Sequence, residues 1–366
     1  MDVDYLIVGS GLTGATIART LADHGRQVAI VERRVDVGGN VHDHLHDSGV
    51  RIHTYGPHYF RTSAERIWRY VRRFGEFHKF EAVLMSRVDN RLEHWPIQRE
   101  YIERSVGVGW TPGHTGPADN FEEASLAMMP EPVYRKFVRG YTAKQWGVDP
   151  KTLDAGLAGR FDVRGNGDVR LKNSIYQGVP IGGYTAFMQR MLHGLRVVTG
   201  ADYLRHRDGF RARRQVVFTG PIDEYFGFDL GRLSYRGQRR EHRFLPDIAW
   251  HQPVAQVNYP DPAVPIIRIL EWKHMMPPAE REGIAGTVIT SETPYTPAEP
   301  SDYEYPFPDQ ANRRLYARYR GRADATPGLL VCGRLGEFRY FDMDQAIGRA
   351  LTIARRLLRG EPRPLA

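Results

Sequence analysis

The sequence predicts an α/β fold in which a discontinuous Rossmann-like domain carries an inserted helical lobe and an antiparallel sheet domain. Three observations predict it. The chain opens on a strand, a glycine-rich turn, a helix and a second strand. Residues 328–358 read as strand, loop and helix again, so the first domain is completed at the far end of the chain. Between them, helical patterns dominate from about 99 to 158 and strand patterns from 253 to 293.

The opening unit is the most informative. Residues 5–8, YLIV, form a short apolar run, read as a buried parallel strand. Gly9-Ser10-Gly11-Leu12-Thr13-Gly14 follows, and the pattern is helical from Gly11 to about His24. Leu12, Ile17, Ala18 and Leu21 share one side, and Gly25 stops the helix. Residues 27–32, QVAIVE, form a second strand that ends in Glu32, 23 residues after Gly9. Gly9 permits the tight turn, Gly11 lets backbone approach a pyrophosphate, and Gly14 lets helix and strand pack closely. The helix N-terminus offers unpaired N–H groups to phosphates. Glu32 suits a ribose diol, and its charge repels a 2′-phosphate, so NADP is disfavoured. A lone G-x-G-x-x-G is weak; strand, helix, strand and terminal acid together give it weight.

The rest reads more coarsely. Residues 51–62 look loop-like, 64–74 helical, and 82–95 a hairpin turning at Asp89-Asn90. Residues 184–195 form a helix after Gly182-Gly183, and 214–221 a strand running into a turn. The expected ranges are 1–80 for the first part of the nucleotide domain, 96–160 for a helical substrate lobe, and 165–185 with 240–310 for the antiparallel sheet. Residues 190–235 and 315–366 then return to the nucleotide domain.

Composition narrows the classes. Hydrophobic residues are 41% and charged residues 26%, which excludes disorder, collagen and a disulfide miniprotein. The single cysteine, Cys332, excludes an intramolecular disulfide and a Cys-based metal cluster, and no metal site is expected. Its apolar setting reads as a buried inert thiol. The net charge is +8, and 45 of the 51 basic residues are arginine. Compositional bias explains much of this, and a diphosphate-bearing substrate is the sharper reading. Nucleic acid is not expected, because no basic run or known module appears. No apolar stretch approaches 18 residues and the N-terminus lacks a signal pattern, so the expectation is a cytoplasmic protein with no membrane span.

After Glu32 the chain reads RRVDVGGN, and an R-x-x-x-G-G stretch in this place resembles the second fingerprint of FAD-binding proteins of the glutathione-reductase-like class. Further segments resemble the UDP-galactopyranose mutase family across essentially the whole chain: VGGNVH, YGPHYF, GYTAKQWGVDPKTL, YQGVPIGGYTAFM, VFTGPIDEYF, VPIIRILEWKH and GRLGEFRYFDMDQAI. The resemblance implies a flavoenzyme, an isomerase that interconverts pyranose and furanose forms of a nucleotide sugar, with galactofuranose as the product from UDP-galactose. It implies reduced FAD as the active cofactor, a transient bond between flavin N5 and the sugar, and no net redox change. An external reductant, NAD(P)H or a reductase, is implied as a partner; the oligomeric state stays open, a homo-oligomer included.

The resemblance also implies site residues. Phe137, Tyr141 and Trp146 would hold the uridine, although Tyr141 and Trp146, five apart, are not stacked neighbours on a helix. Arg160, Tyr305 and Tyr340 would contact the diphosphate. Arg160, Tyr340, Asp342, Arg268 and His58 would lie nearest the chemistry. Gly9, Gly11, Gly14, Glu32, Arg33, Gly38, Gly39, Asn40, Gly56, His58, Gly333, Arg334, Asp342 and Met343 would bind FAD.

Three positions depart from the family pattern. Leu171 replaces a tyrosine that reaches the substrate, Ser291 stands where a second phosphate arginine is usual, and Arg61 stands where histidine is common. Losing one arginine–phosphate pair costs on the order of 1.5–3 kcal/mol unless replaced. Arg61, Arg164 or Arg170 are the candidates to compensate, and Ser291→Arg is expected to improve turnover of UDP-galactopyranose. Alternatively the substrate is another nucleotide sugar, such as a dTDP- or GDP-linked, deoxy or modified hexose. Two rival functions remain at this point: an FAD-dependent oxidoreductase of the amine oxidase type, and a non-catalytic nucleotide-sugar binder.

Overall fold

A computed structural model describes residues 2–360, apart from the Arg160 side chain. The strand Asp2–Val8 lies in a five-stranded parallel sheet. Val28–Val31 and Arg196–Val198 flank it on one side, Arg211–Phe218 and Leu329–Val331 on the other. Alternation along the first strand feeds two cores: Tyr5 and Ile7 face the helices Leu12–Asp23 and Met343–Leu358, while Leu6 faces the helix Gln310–Ala325. Burial on both faces explains the continuous apolar run. The sheet is thus assembled from the N-terminal, middle and C-terminal thirds of the chain.

A second, seven-stranded sheet carries much of the functional cleft. Its strands run in the order Tyr305–Pro306, Tyr235–Leu245, Thr287–Tyr295, Arg268–Glu271, Gln256–Asn258, Leu84–Val88, Arg91–Trp95. The arrangement differs from the sequence-based ranges in three respects. The hairpin at 84–95, turning through left-handed Asp89 and Asn90, forms one edge of this sheet. Tyr176–Pro180 pairs instead with Phe60–Thr62 and Phe77–Lys79 in a separate three-stranded sheet. The sheet is mixed, because Gln256–Asn258 runs parallel to Leu84–Val88. Residues 51–62 are also not simply loop: Arg51–His53 and Phe60–Thr62 are short strands. These pairings join segments far apart in sequence, which local periodicity does not encode. The expected boundary at residue 366 lies outside the described residues.

Between residues 99 and 160 the chain forms short helices around Phe121, Tyr134, Phe137 and Trp146. Cys332 is buried, and burial pushes its thiol far up from its ordinary value.

Where the two sheets approach, His53 is buried against Trp272 and Tyr184, with ring centroids 5.3 and 5.6 Å away. Its Nδ1 accepts the backbone N–H of His58 at 3.0 Å, which requires a neutral ring. Burial pushes its pKa down to about 4. Unfolding therefore takes up a proton below pH ~6.5, the unfolded value. Stability should be complete above pH 6.5 and fall as pH drops toward 4, with a His53 share on the order of 3 kcal/mol. Urea melts between pH 7.5 and 5 check this: the slope of stability against pH should flatten in His53→Phe, and an unchanged slope would exclude the histidine as its source. A second prediction concerns Gly14, where a Cβ would stand 2.0 Å from the Gly9 carbonyl oxygen. Gly14→Ala should cost about 1–3 kcal/mol or more in thermal or urea melts.

Candidate active site

Two cavities meet inside the fold. The first is lined by Gly9, Gly11, Gly14, Glu32, Arg33, Gly38, Gly39 and Gly333. The second, about 300 Å³, lies between the seven-stranded sheet and the helical lobe. Asn40, His58, Arg334 and Met343 line both.

The first cavity is a cradle for an anionic, extended ligand. Gly11 precedes the helix Leu12–Asp23 without a capping side chain, so the first-turn N–H groups point at the cavity unshared. Gly9, at φ 102°, leaves no room for a side chain: a Cβ would stand 2.2 Å from Thr219 Oγ1. Ser10, which sequence reasoning passed over, ties the turn together. Its N–H and its hydroxyl each donate to Glu32 Oε2 at 2.8 Å, and its Oγ accepts Gly38 N–H at 3.3 Å. The Arg34 N–H donates to the other Glu32 oxygen at 2.9 Å. Glu32 is thus held rigidly at the cavity wall with acceptor capacity left over.

Arg33 lines the first cavity with its charge already paired. Its guanidinium is paired in bidentate fashion with Glu224 at 3.0 and 2.8 Å, which occupies the fork. Arg34 is the arginine four residues before Gly38. It lies 4.1 Å over the Tyr55 ring and donates to Asn40 Oδ1 at 3.2 Å.

At the junction, His58 is neutral: burial holds its pKa well below the histidine range, with His53 and Arg334 adding to the effect. Its Nδ1 is buried, with the Gly56 backbone beside the ring. The residue itself lines both cavities. Arg334 donates to the Phe341 carbonyl at 2.9 Å and lies 4.7 Å over the Tyr340 ring.

One wall of the second cavity is the helix Gly140–Trp146, entered through a π-helical turn, Arg135–Arg139. Phe137, Tyr141, Gln145 and Trp146 all reach the cleft. Phe137 and Trp146 are also core residues of the lobe, edge-on to Tyr101 and Phe307. Lys144, on the opposite side, donates to the carbonyls of Tyr259, Asp261, Val264 and Ile266, binding the helix to the turn before Arg268. Arg236 caps the helix end, donating to the Gln145 carbonyl at 2.8 Å and the Lys144 carbonyl at 3.1 Å.

The floor is the seven-stranded sheet. Arg268 and Arg240 share the buried Glu292, Arg268 through Nε and Arg240 at 2.9 Å, and Arg240 forks onto Glu304 at 2.8 and 2.9 Å. Burial opposes charge on Glu292, yet the two guanidiniums outweigh it and lower its pKa. Tyr305 and Tyr340 stack with centroids 6.1 Å apart, and burial pushes the Tyr305 phenol up to about 12. Gly56, Asp342 and Leu171 also line this cavity. Asp342 accepts from Arg61 at 2.9 Å and stands at the start of the helix Met343–Leu358.

Ser291 is placed differently from the expectation. Strand pairing sets it opposite Ile269 and Glu241, whereas Arg268 and Arg240 both pair with Glu292. Alternation then turns residue 291 to the sheet face away from the cleft. Arg164 and Arg170 do not line the cleft either. Arg164 is spent on Asp162 and on carbonyls of Asp168, Arg170 and Leu171; Arg170 is spent on Asp168 and Glu81. Arg160 ends a short helix, and its side chain lies outside the described residues. Tyr59, Glu292, Glu304 and Asn258 were missed: Tyr59 lies within the YGPHYF segment, Glu304 just before the strand Tyr305–Pro306, and Glu292 and Asn258 carry no local motif and reach the site through strand pairing.

The comparisons agree with this architecture. Residues 136–340, more than half of the chain, match the family model for UDP-galactopyranose mutase, and residues 7–74 match that of an NAD(P)-binding Rossmann-like domain. The chain is 31% identical to a probable UDP-galactopyranose mutase of Klebsiella pneumoniae, over 97% of this chain and 94% of the relative. It is 29% identical to dTDP-fucopyranose mutase of Escherichia coli, over 96% of this chain and 97% of the relative. In fold it is similar to a crystal structure of reduced UDP-galactopyranose mutase, at TM-score 0.73 and 14% identity, covering 97% of this chain and 95% of the other. With its glycine cradle, its junction residues and its arginine- and tyrosine-lined cleft in one continuous site, the chain belongs to the UDP-galactopyranose mutase family.

Proposed function

We propose that the chain interconverts the pyranose and furanose forms of a nucleotide-diphosphate sugar, with reduced FAD as cofactor and no net redox change. The observation that carries the reading is the meeting of the two cavities at Asn40, His58, Arg334 and Met343. A dinucleotide laid along the glycine cradle ends against whatever occupies the arginine- and tyrosine-lined cleft.

The residues fit FAD. The uncapped N-terminus at Gly11 and the glycines around it would hold its pyrophosphate, Glu32 would hold a ribose, and the junction residues Asn40, His58, Arg334 and Met343 would border its ring system. When bound and reduced, FAD supplies the electron-rich centre for chemistry at the anomeric carbon. The side chains do the rest. Phe137, Tyr141 and Trp146 hold the base. Arg160, Tyr305 and Tyr340 receive the diphosphate as it leaves, and Tyr305 remains protonated and a donor at neutral pH. Arg268, neutralised by Glu292, offers directed N–H groups from the floor.

UDP-galactose or a related nucleotide sugar is the substrate; relatives named for UDP-galactopyranose and for dTDP-fucopyranose support this breadth. An external reductant, NAD(P)H or a reductase, keeps the flavin reduced. Among the described residues no helix is long and apolar enough to cross a membrane.

Anaerobic incubation of dithionite-reduced protein with UDP-galactopyranose, dTDP-fucopyranose and related sugars should give furanose product with no reductant consumed per turnover. Oxidised substrate, or no furanose across the panel, would rule the reading out. Tyr141→Ala should raise KM by about tenfold, because base–aromatic stacking contributes about 1–3 kcal/mol. Ser291→Arg should leave KM within about twofold, since strand alternation points the new side chain away from the cleft; a clear gain in turnover would contradict the register.

A further inference from the structure

We propose that Arg61 is a specificity residue that grips the substrate diphosphate, and that Asp342 holds its guanidinium in place until the substrate arrives. The inference rests on the mutase reading and adds a residue to it.

The position is set by alternation. Phe60 and Thr62 are buried, at 2% and 1% exposure, so the strand Phe60–Thr62 turns Arg61 to the opposite side. Pairing of Arg61 with Gln177 pins the backbone there, and the side chain lines the cleft.

Among the described residues three guanidiniums line the cleft: Arg61, Arg268 and Arg334. Arg268 is committed to Glu292 beneath it. Arg334 sits at the junction of the cavities and is spent on the Phe341 carbonyl and the Tyr340 ring. Arg61 has a different environment. It lies 5.9 Å over the Tyr59 ring, and Nη2 donates to Asp342 Oδ2 at 2.9 Å. That bond uses one of five N–H donors and leaves most of the fork for a second anion.

Asp342 accounts for the waiting state. It stands at the start of the helix Met343–Leu358, and its N–H donates to Gln345 Oε1 at 3.0 Å. A single carboxylate on one arm of a half-buried arginine is an exchangeable partner. A diphosphate brings more charge and more acceptor oxygens, and it matches the planar fork. Tyr340, two residues before Asp342, stacks on Tyr305, and both phenols line the same cavity as the guanidinium. Arginine and phenols together suit a diphosphate rather than the sugar ring, whose hydroxyls need no cation.

Calorimetric titration of the FAD-loaded protein with UDP, UMP and uridine tests the proposal, with dTDP, thymidine and GDP in parallel. Arg61→Gln should weaken UDP or dTDP by about 10- to 100-fold and leave the nucleoside within about twofold. Arg61→Lys keeps a point charge without the fork and should fall between the two. The salt dependence of UDP binding should be shallower in Arg61→Gln. Equal losses for UDP and uridine would mean a general disturbance of the site and would overturn the proposal, as would undiminished UDP binding. Comparing UDP-galactose with UDP-galacturonate supplies the last arm: a loss confined to the uronate would assign Arg61 to a sugar carboxylate and overturn the diphosphate role. If wild-type protein binds none of UDP, dTDP and GDP, the mutase reading itself fails and the inference falls with it.

Discussion

Glu292 is the group on which the cleft is built. Its carboxylate is fully buried and receives Arg268 on one oxygen and Arg240 on the other, while Arg240 reaches on to Glu304. Two positive and two negative charges cancel inside the protein. Such an array is not a source of stability by itself, because desolvation offsets much of the attraction. Its value is selective: removing one member leaves a buried charge unpaired, which costs about 3–5 kcal/mol, so only one arrangement of the strands is tolerated. The loop through Gly56 lies directly on this array. A Cβ there would stand 3.1 Å from Arg240 Nη2 and 3.2 Å from Glu292 Oε1, at a backbone φ of 92°. That contact joins the loop bearing His58 to the strands bearing Arg268 and Tyr305, so the relative position of the two cavities follows from it.

The same burial decides what the side chains can contribute chemically. His58 is held neutral and well below its ordinary range, and the Tyr59 and Tyr305 phenols are pushed up to about 12. Groups so far from neutral pH are poor proton carriers, since general acid–base catalysis works best with a pKa near the operating pH. They are well suited to fixed donation and orientation. The cleft is therefore suited to stabilising charge and shape rather than to carrying protons.

The parts of this design that were legible in the sequence are those with local signatures. The first turn was readable because strand, glycines, helix and Glu32 occur within a few dozen residues, each with a physical job. The Asp89-Asn90 hairpin was readable from its turn residues. Glu292, Glu304 and Arg240 were not, because nothing local distinguishes them from other charged residues; they become a unit only through pairing of strands that start at 235, 268 and 287. Arg33 and Arg34 show the limit on a smaller scale. Neighbouring arginines look alike in sequence, and the presence of Glu224 across the cavity decides which one is spent. Ser291 shows it again, since one residue of register separates the cleft face from the opposite face.

The two ends of the cleft differ in how firmly they are built. At the aromatic end, Gly140 packs so tightly that a Cβ would stand 2.2 Å from the Pro260 carbonyl oxygen. One turn later Lys144 holds four carbonyls of the same loop, and Arg236 closes the helix. Tyr141 and Gln145 therefore project from a helix fixed on its far side. The other end is contributed by Tyr59, Arg61, Leu171, Tyr340 and Asp342, side chains from a short strand, a loop and a helix start. Arg61 and Asp342 there hold each other by a single hydrogen bond. A firmly held aromatic wall thus faces an end of the cleft whose side chains are free to rearrange around a ligand. Leu171 and Arg61 belong to this lightly tied end, whereas Glu292 and the glycine cradle, which set the geometry of the site, lie in its firmly built parts.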